Sequence, residues 1–236
     1  MTAPAFWLVI PAAGIGSRMQ AERPKQYLTV SGKTILEHTL ACFIEHPKLL
    51  GVILAIADND PWWPQLPVAH NALIHTVAGG AERADSVLNA LQALQGRGAQ
   101  AEDWVLVHDA ARPLLPAEDL ERLLTTLQGD PLGGLLAAPA RDTLKQMDAN
   151  GRVVQTIDRS VIWHALTPQM FHLGQLQQAL ADALIAGVAI TDESSAMEWA
   201  GYAPQLVEGR ATNIKITRPE DLQTLQSALN IPYVTT

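Results

Sequence analysis

The sequence is poor in cysteine: Cys42 is the single one among 236 residues. One thiol cannot form an intramolecular disulfide, so the composition favours a protein of the reducing cytoplasm. Cys42 lies in a run of helical period, TILEHTLACFIEH. A small, buried apolar side chain is therefore its expected role, and a nucleophile is not.

Long apolar stretches are also missing. Hydrophobic residues make up 48% of the chain, but no run reaches the length of about 18 apolar residues that a membrane-spanning helix needs. The start, MTAPAFWLVIPAAG, has no basic segment ahead of its apolar run, which argues against a signal peptide. We therefore expect a cytoplasmic protein with no membrane contact.

Basic residues are few. The chain has 16 Lys and Arg against 24 Asp and Glu, a net charge of −8, which excludes a sequence-independent nucleic-acid binder with its clustered surplus of cations. Any anion must be held locally, by the few basic residues that lie in loops at strand ends.

Short apolar runs alternate with segments of helical period, which predicts an α/β fold with a Rossmann-like, mostly parallel open sheet. One domain over residues 1–236 is expected. Strands are predicted at residues 6–10, 50–57, 72–78, 103–110, 133–140, 205–209 and 213–217. Helices are predicted at residues 34–46, 82–96, 116–129, 172–187, 192–201 and 218–230. Ligands of such sheets bind beyond the carboxyl ends of the strands, so the loops after Ile10, Ala78 and His108 form the candidate site.

A different pattern follows Ala140. Residues 143–147 and 152–158 alternate in polarity and are joined by DANG, which predicts a β-hairpin. An isolated two-stranded ribbon is only marginally stable. We therefore expect this protruding β-arm, residues 140–162, to pack against another subunit.

The loop PAAGIGSRMQAERPKQYL follows the first strand. It matches neither the glycine fingerprint of dinucleotide-binding loops nor that of the P-loop. Gly14 and Gly16 supply the first two glycines of a dinucleotide loop, but Met19 occupies the third place. What remains is backbone that can approach phosphates closely, followed by Arg18 and Lys25, which suits a triphosphate. Solvated surface cations are the alternative interpretation.

Two further motifs lie at strand ends. In AGGAERADSVLNAL, the backbone near Gly79 and Gly80 could read the edge of a base with Ser86 nearby, or the segment could simply begin a helix. In VHDAARP, Asp109 could hold Mg²⁺ or bind a sugar hydroxyl. His108 is expected to be a packed strand-end histidine.

These motifs occur in order along nearly the whole chain, together with four others: APARDTLK, DRSVIWHALTPQ, TDESSAME and VEGRATNIKITRPED. The set resembles the 2-C-methyl-D-erythritol 4-phosphate cytidylyltransferases. The resemblance implies a nucleotidyltransferase domain with a β-arm that interlocks two subunits. It also implies a Mg²⁺-dependent reaction of CTP with methylerythritol phosphate that gives the diphosphocytidyl product and pyrophosphate in isoprenoid synthesis.

The resemblance also implies residue roles. Arg18 and Lys25 would stabilise the transition state, and Arg159 and Lys215 would position the acceptor. The implied nucleotide contacts are Pro11, Ala12, Ala13, Gly14, Gly16, Arg18, Lys25, Gly80, Ala81 and Ser86. The implied acceptor contacts are Asp109, Ala110, Arg112, Thr143, Arg159, Thr167, Thr191 and Lys215. Arg159 would come from the neighbouring subunit, and Ala81 could contribute only its backbone. Arg83 and Arg112 could contact the nucleotide or form salt bridges.

Three alternatives stay open at this point. Another nucleotidyltransferase, acting on a sugar phosphate or a polyol phosphate, would share the nucleotide loop. A dinucleotide oxidoreductase would share the open sheet and Gly14 and Gly16. A noncatalytic nucleotide-sensing module would bind CTP and release no pyrophosphate.

Overall fold

The computed structural model describes residues 3–14 and 23–230. Its centre is a seven-stranded sheet of β1 (Phe6–Pro11), β4 (Leu49–Ile56), β5 (Ile74–Ala78), β6 (Trp104–Val107), β7 (Gly133–Pro139), β10 (Trp163–His172) and β11 (Gln205–Glu208). The spatial order is β11-β7-β10-β6-β1-β4-β5. Of these seven strands only β10 runs antiparallel to its neighbours. The predicted α/β class and mostly parallel open sheet are confirmed.

The part of the chain that the structure describes has six α-helices beside the sheet: α1 (Ile35–Ala41), α2 (Arg83–Gln95), α3 (Ala117–Leu127), α4 (Leu173–Ile185), α5 (Glu193–Trp199) and α6 (Pro219–Asn230). The alternation of side chains along β1 builds a core on each face of the sheet. Leu8 and Ile10 pack in one core with leucines of α1 and α3, and Val9 packs in the other with α2 and α4. The sheet is therefore covered on both sides, which explains why β1 is apolar along its whole length.

The start of α1 shows how local sequence sets a boundary. Thr34 Oγ1 accepts a hydrogen bond from the Glu37 backbone at 3.2 Å, and the Glu37 carboxylate accepts one from the Thr34 backbone at 2.8 Å. This reciprocal capping box satisfies N–H groups that the first helical turn leaves open. The preceding strands β2 (Thr29–Val30) and β3 (Lys33–Thr34) form a small separate sheet, and Ser31 and Gly32 form the turn between them.

Two predicted elements differ from the structure. Residues 213–217, predicted as a strand, are irregular; Ile216 makes one backbone hydrogen bond, to Ala111, and its side chain packs beside Val30 and Ile35. Ile216 is thus buried in a segment that does not belong to a sheet. The alternation of polar and apolar residues therefore does not indicate a strand here. The antiparallel strand β10 was not predicted. In addition, α1 ends at Ala41, short of the predicted boundary.

The predicted hairpin is present as β8 (Leu144–Met147) and β9 (Val153–Ile157), a sheet of its own. Asp148 closes its turn by accepting hydrogen bonds from the backbone of Asn150 and Arg152, both at 2.9 Å. The apolar side chains of Met147, Val153 and Val154 are mostly exposed. Subunit contact by this ribbon stays a prediction.

Across the described ranges, each helix is too short or too polar to cross a membrane.

Candidate active site

The carboxyl ends of β1, β5 and β6 open onto one cavity of about 390 Å³. Its walls are residues 11–14, 25–26, 80–83, 86, 109–111 and 215. The three loops that the parallel order predicted to meet do meet here. Ala110, predicted as an acceptor contact, lines this cavity with the nucleotide residues. Gly16 and Arg18 lie outside the described residues.

Close packing requires glycine where β5 leads into α2. A Cβ atom on Gly79 would lie 2.3 Å from the Ala13 Cβ, and one on Gly80 would lie 2.2 Å from the Asp85 Cβ. Gly14 is different, because a Cβ atom there would meet none of the residues that the structure describes within 4 Å. The glycines at 79 and 80 therefore allow the close approach of the cavity walls.

Ser86 shapes the same turn. Its hydroxyl accepts a hydrogen bond from the Gly80 backbone at 3.0 Å and donates one to the Glu82 carbonyl at 3.1 Å. The hydroxyl lines the cavity, but both of its hydrogen-bonding functions are used inside the protein. This geometry agrees with the helix-start interpretation. The nearby amino end of α2 directs its partial positive charge toward the cavity.

Lys25 begins a single 3₁₀ turn, Lys25–Tyr27, on the opposite wall. Its ammonium donates a hydrogen bond to the Ile216 carbonyl at 2.9 Å. The next residue, Gln26, is buried and donates to the carbonyls of Ala12 and Gly14 at 2.6 and 3.2 Å. Gln26 thus ties the turn to the loop after β1. The sequence reading missed this role, although a glutamine directly after Lys25 in PKQYL was its signal.

The other end of the turn is held by Tyr27. Its hydroxyl donates to Asp60 Oδ2 at 2.8 Å, and Asp60 Oδ1 accepts from the backbone of Trp62 and Trp63. Burial, together with that carboxylate, raises the pKa of Tyr27 above its usual range. Arg23 lies over the Trp62 ring, 4.9 Å from its centroid. The backbone of Trp62 and Trp63 thus holds Asp60, the acceptor of the Tyr27 hydrogen bond, and so fixes this end of the Lys25 turn.

Asp109, directly after β6, is surrounded by cations. Its carboxylate lies 3.0 Å from Lys215 Nζ, 3.1 Å from Arg112 Nε and 3.2 Å from Arg83 Nε. Burial alone would raise the pKa of Asp109, but Arg83, Lys215 and Arg112 hold it well below its usual range. The side chain is an anion that organises three cations.

That environment does not favour the predicted role of Asp109 as a Mg²⁺ ligand, because three cations already lie within 3.2 Å of its carboxylate and would repel a divalent cation. Within residues 3–14 and 23–230 no group of three His, Cys, Asp or Glu side chains could hold a metal ion. The described residues therefore do not form a metal site of their own. A metal ion carried by a bound polyphosphate would take its ligands from phosphate oxygens and water.

A second cavity of about 260 Å³ adjoins the first. Five predicted acceptor contacts line it: Asp109, Arg112, Thr167, Thr191 and Lys215. Arg83, Asp109 and Lys215 line both cavities. A charged wall shared by two adjoining cavities is suited to bringing two anionic molecules into contact.

Arg112 stabilises this charged wall from the protein interior. Besides Asp109, its guanidinium contacts the Asn213 carbonyl at 2.7 Å, and the Asn213 amide donates to the Thr167 carbonyl at 2.7 Å. These bonds fix the irregular segment that carries Lys215. The salt-bridge interpretation therefore describes Arg112, and equally Arg83.

His108 is a packed histidine, as expected. Thr167 Oγ1 accepts from the Asp109 backbone at 3.1 Å and lies 3.0 Å from His108 Nδ1, while His108 Nε2 lies 3.0 Å from the Arg112 carbonyl. Nε2 faces a carbonyl and therefore carries a proton, and an unprotonated Nδ1 then accepts a hydrogen bond from the Thr167 hydroxyl. Burial lowers the pKa of His108 to about 4, so the ring is neutral near pH 7. It positions Thr167 and the loop after β6.

Thr143 and Arg159 line neither cavity. Both are exposed residues that flank the hairpin, and Arg159 donates a hydrogen bond to the Arg141 carbonyl. Within one chain the structure does not bring these two residues to the other predicted site residues.

The fold and these cavities define an α/β enzyme class that binds a polyphosphate nucleotide beside a second anionic substrate. The family model for 2-C-methyl-D-erythritol 4-phosphate cytidylyltransferase matches residues 6–230. The chain belongs to this family.

Individual relatives agree with the family match. The chain is 67% identical over 223 residues to the 2-C-methyl-D-erythritol 4-phosphate cytidylyltransferase of Pseudomonas aeruginosa, covering 94% of this chain and 95% of the relative. A crystal structure of the Francisella tularensis enzyme of that name has a TM-score of 0.81 at 38% identity, covering 94% of this chain and 99% of that one. The Thermus thermophilus structure gives a TM-score of 0.78 at 30% identity, covering 98% and 100%.

Proposed function

We propose that CTP occupies the larger cavity and 2-C-methyl-D-erythritol 4-phosphate the adjoining one. The protein transfers CMP from CTP to this acceptor, giving 4-diphosphocytidyl-2-C-methyl-D-erythritol and pyrophosphate in isoprenoid precursor synthesis. The observation that carries the placement is the wall of Arg83, Asp109 and Lys215, which both cavities share. It sets the two substrates side by side, with their phosphates against the same cations.

The chemistry requires positioning and charge neutralisation more than a base. An oxygen of the acceptor phosphate attacks the α-phosphorus of CTP, the bond from that phosphorus to the bridging oxygen breaks, and pyrophosphate leaves with the electron pair. The attacking phosphate is already an anion, so no proton has to be removed from it. Catalysis therefore depends on holding the groups in line and stabilising the charge on the transferring and leaving phosphates.

Lys25 and Arg18 are the proposed groups for that charge. Lys25 reaches the nucleotide cavity from its 3₁₀ turn, which Gln26 and Tyr27 hold at both sides. The phosphates of CTP would accept hydrogen bonds from backbone at residues 11–14 and from the turn before α2. The cytosine would be read by backbone groups near Ala81, since that side chain has no donor or acceptor.

Lys215 is the proposed group for the acceptor phosphate. Its bond to Asp109 holds the ammonium at the boundary between the cavities. Thr167 and Thr191, which line the second cavity, offer hydroxyls for the polyol. Mg²⁺ is proposed to accompany CTP and to be held by its phosphate oxygens, where it supplies further charge neutralisation.

A homodimer completes the site in this proposal. The whole chain acts as one domain, and residues 140–162 form an arm that reaches the partner subunit. Arg159 and Thr143 would then belong to the partner's acceptor cavity, which fits the finding that they line neither cavity of their own chain. The exposed apolar residues of the ribbon support a buried role for it in a dimer.

A comparison of acceptors tests this function. With CTP and Mg²⁺, pyrophosphate release should require methylerythritol phosphate and should be much slower with ribitol phosphate or with water alone. Equal rates with ribitol phosphate would assign the protein to a different acceptor. CTP binding without release for any acceptor would support the sensing module instead.

A further inference from the structure

A buried ion pair connects the two cavities outside the proposed catalytic cations. Arg83 is the first residue of α2 and follows the turn that lines the nucleotide cavity; Glu193 is the first residue of α5 and follows Thr191 and Asp192 of the acceptor cavity. Arg83 Nη1 lies 2.6 Å from Glu193 Oε1, and Nη2 lies 3.2 Å from Oε2. The pair therefore joins two segments that are 110 residues apart in sequence.

Hydrogen bonds to two carboxylates fix the orientation of the Arg83 guanidinium. Two nitrogens of Arg83 form a planar fork with Glu193, and the third, Nε, lies 3.2 Å from Asp109 Oδ1. The Glu193 side chain is only 1% exposed, so water competes little for it. A bidentate arginine–carboxylate pair has one preferred plane, and a lysine in place of the arginine would not reproduce it.

The start of α5, which carries Glu193, is hydrogen-bonded to the central sheet. Gln169 of β10 accepts a hydrogen bond from the Ser194 backbone at 2.7 Å and donates one to Asp192 Oδ2 at 2.9 Å. The start of α5 is thus fastened to the strand whose first half lines the acceptor cavity. Any displacement of this start would move Arg83, and through it the Asp109 carboxylate that holds Lys215.

We propose that Glu193 is a positioning residue that couples the two substrate sites through Arg83. It lines neither cavity, so it acts without touching a substrate. Contact of CTP with the turn before α2 restrains Arg83, and the Arg83–Glu193 pair passes that restraint to the acceptor loop. Bound CTP then raises the affinity for the acceptor, and by thermodynamic reciprocity the acceptor raises the affinity for CTP to the same extent.

The variant Glu193→Gln removes the charge and keeps the size of the side chain. Glu198→Gln is its matched control, because Glu198 lies on the same helix and accepts a hydrogen bond from Ser194 at 2.7 Å but is exposed. Acceptor KM and kcat would be measured at saturating CTP. Acceptor Kd would be measured with and without a CTP analogue whose α,β-bridge is a methylene and cannot be cleaved.

We expect Glu193→Gln to raise the acceptor KM about tenfold or more and to reduce the effect of the analogue on acceptor Kd by a similar factor. Glu198→Gln should match the wild type in both. A loss confined to folded fraction and kcat, with KM and coupling unchanged, would assign Glu193 a merely structural role and overturn the proposal. If Glu193→Gln does not fold, Glu193→Asp is the second variant, since it keeps the charge but shortens the side chain. It should show a smaller change in acceptor KM and in the effect of the analogue on acceptor Kd. Wild-type values of both quantities in Glu193→Asp would also overturn the proposal.

The inference rests on the proposed function, and the same assay separates the two. A wild-type protein that forms no diphosphocytidyl product contradicts the function itself. An active wild type with a Glu193→Gln variant indistinguishable from Glu198→Gln contradicts only the coupling.

Discussion

The Lys215 ammonium lies 3.0 Å from Asp109 Oδ2 at the boundary of two cavities. Asp109 also receives Arg83 and Arg112, so one buried anion arranges three cations for incoming phosphates. The cluster explains how a protein with a net charge of −8 can bind two anionic substrates. The positive charge is concentrated at one sheet edge, where burial limits screening by solvent.

Asp109→Asn should destabilise the protein and inactivate it. Removing the charge leaves three cations close together without their shared anion, and breaking a buried ion pair costs about 3–5 kcal/mol. Urea unfolding measures the loss. Glu220→Gln, at an exposed ion pair of 3.8 Å, is the control and should stay within about 0.5 kcal/mol of wild type. Equal stability of the two variants would show that Asp109 does not organise the cluster.

Lys25→Ala should lower kcat by roughly a hundredfold or more, the scale expected when a few kcal/mol of transition-state stabilisation is lost. Arg18→Ala should behave alike. Lys33→Ala changes an exposed lysine of β3 and should leave kcat unchanged. Steady-state rates at saturating CTP and acceptor decide the matter. If Lys25→Ala is as active as Lys33→Ala, Lys25 is a surface cation.

Two glycine substitutions should separate stability from ligand binding. Gly80→Ala places a methyl group 2.2 Å from the Asp85 Cβ, so it should lower the free energy of unfolding by about 1–3 kcal/mol. Gly14→Ala meets no atom of residues 3–14 and 23–230 within 4 Å and should keep its stability while weakening CTP binding. Melting curves and CTP titrations distinguish the two effects. A stable Gly80→Ala protein, or full CTP affinity in Gly14→Ala, would contradict this assignment.

His108 gives a pH dependence with a definite sign. Burial lowers its pKa from 6.5 to about 4, so between these pH values the unfolded chain binds more protons than the folded one. The contribution to stability is present above pH 6.5 and is lost as pH falls toward 4, with a slope of up to about 1.4 kcal/mol per pH unit. His108→Gln should flatten unfolding free energy against pH in this window. Parallel curves for the two proteins would show that His108 is not buried neutral.

Subunit mixing tests the origin of Arg159. If Arg159 serves the partner's site, a dimer of one Lys25→Ala chain and one Arg159→Ala chain has one doubly defective site and one intact site. Random reassortment should therefore restore about one site in four to full activity. Mixtures as inactive as the separate variants, under conditions where subunits exchange, would place Arg159 in its own chain's site. A Val153→Asp variant should in addition shift the protein toward monomers in sedimentation.

The sequence was most informative where function depends on local pattern. Parallel apolar strands placed their carboxyl-end loops together, and the structure gathers the residues at 11–14, 80 and 109 around one cavity. It was least informative about buried polar pairs. Glu193, the partner of Arg83, lies 110 residues away in sequence and meets it only through the fold. The prediction of a strand at residues 213–217 was wrong because an irregular segment can also alternate between buried and exposed residues.

The fate of a radioactive α-phosphate in CTP tests the central claim most directly. With wild-type protein, Mg²⁺ and methylerythritol phosphate, the label should appear in the diphosphocytidyl product, with one unlabelled pyrophosphate released for each product formed. Without the acceptor, the label should stay in CTP. Label recovered as free CMP, or no product from folded protein, would contradict the account.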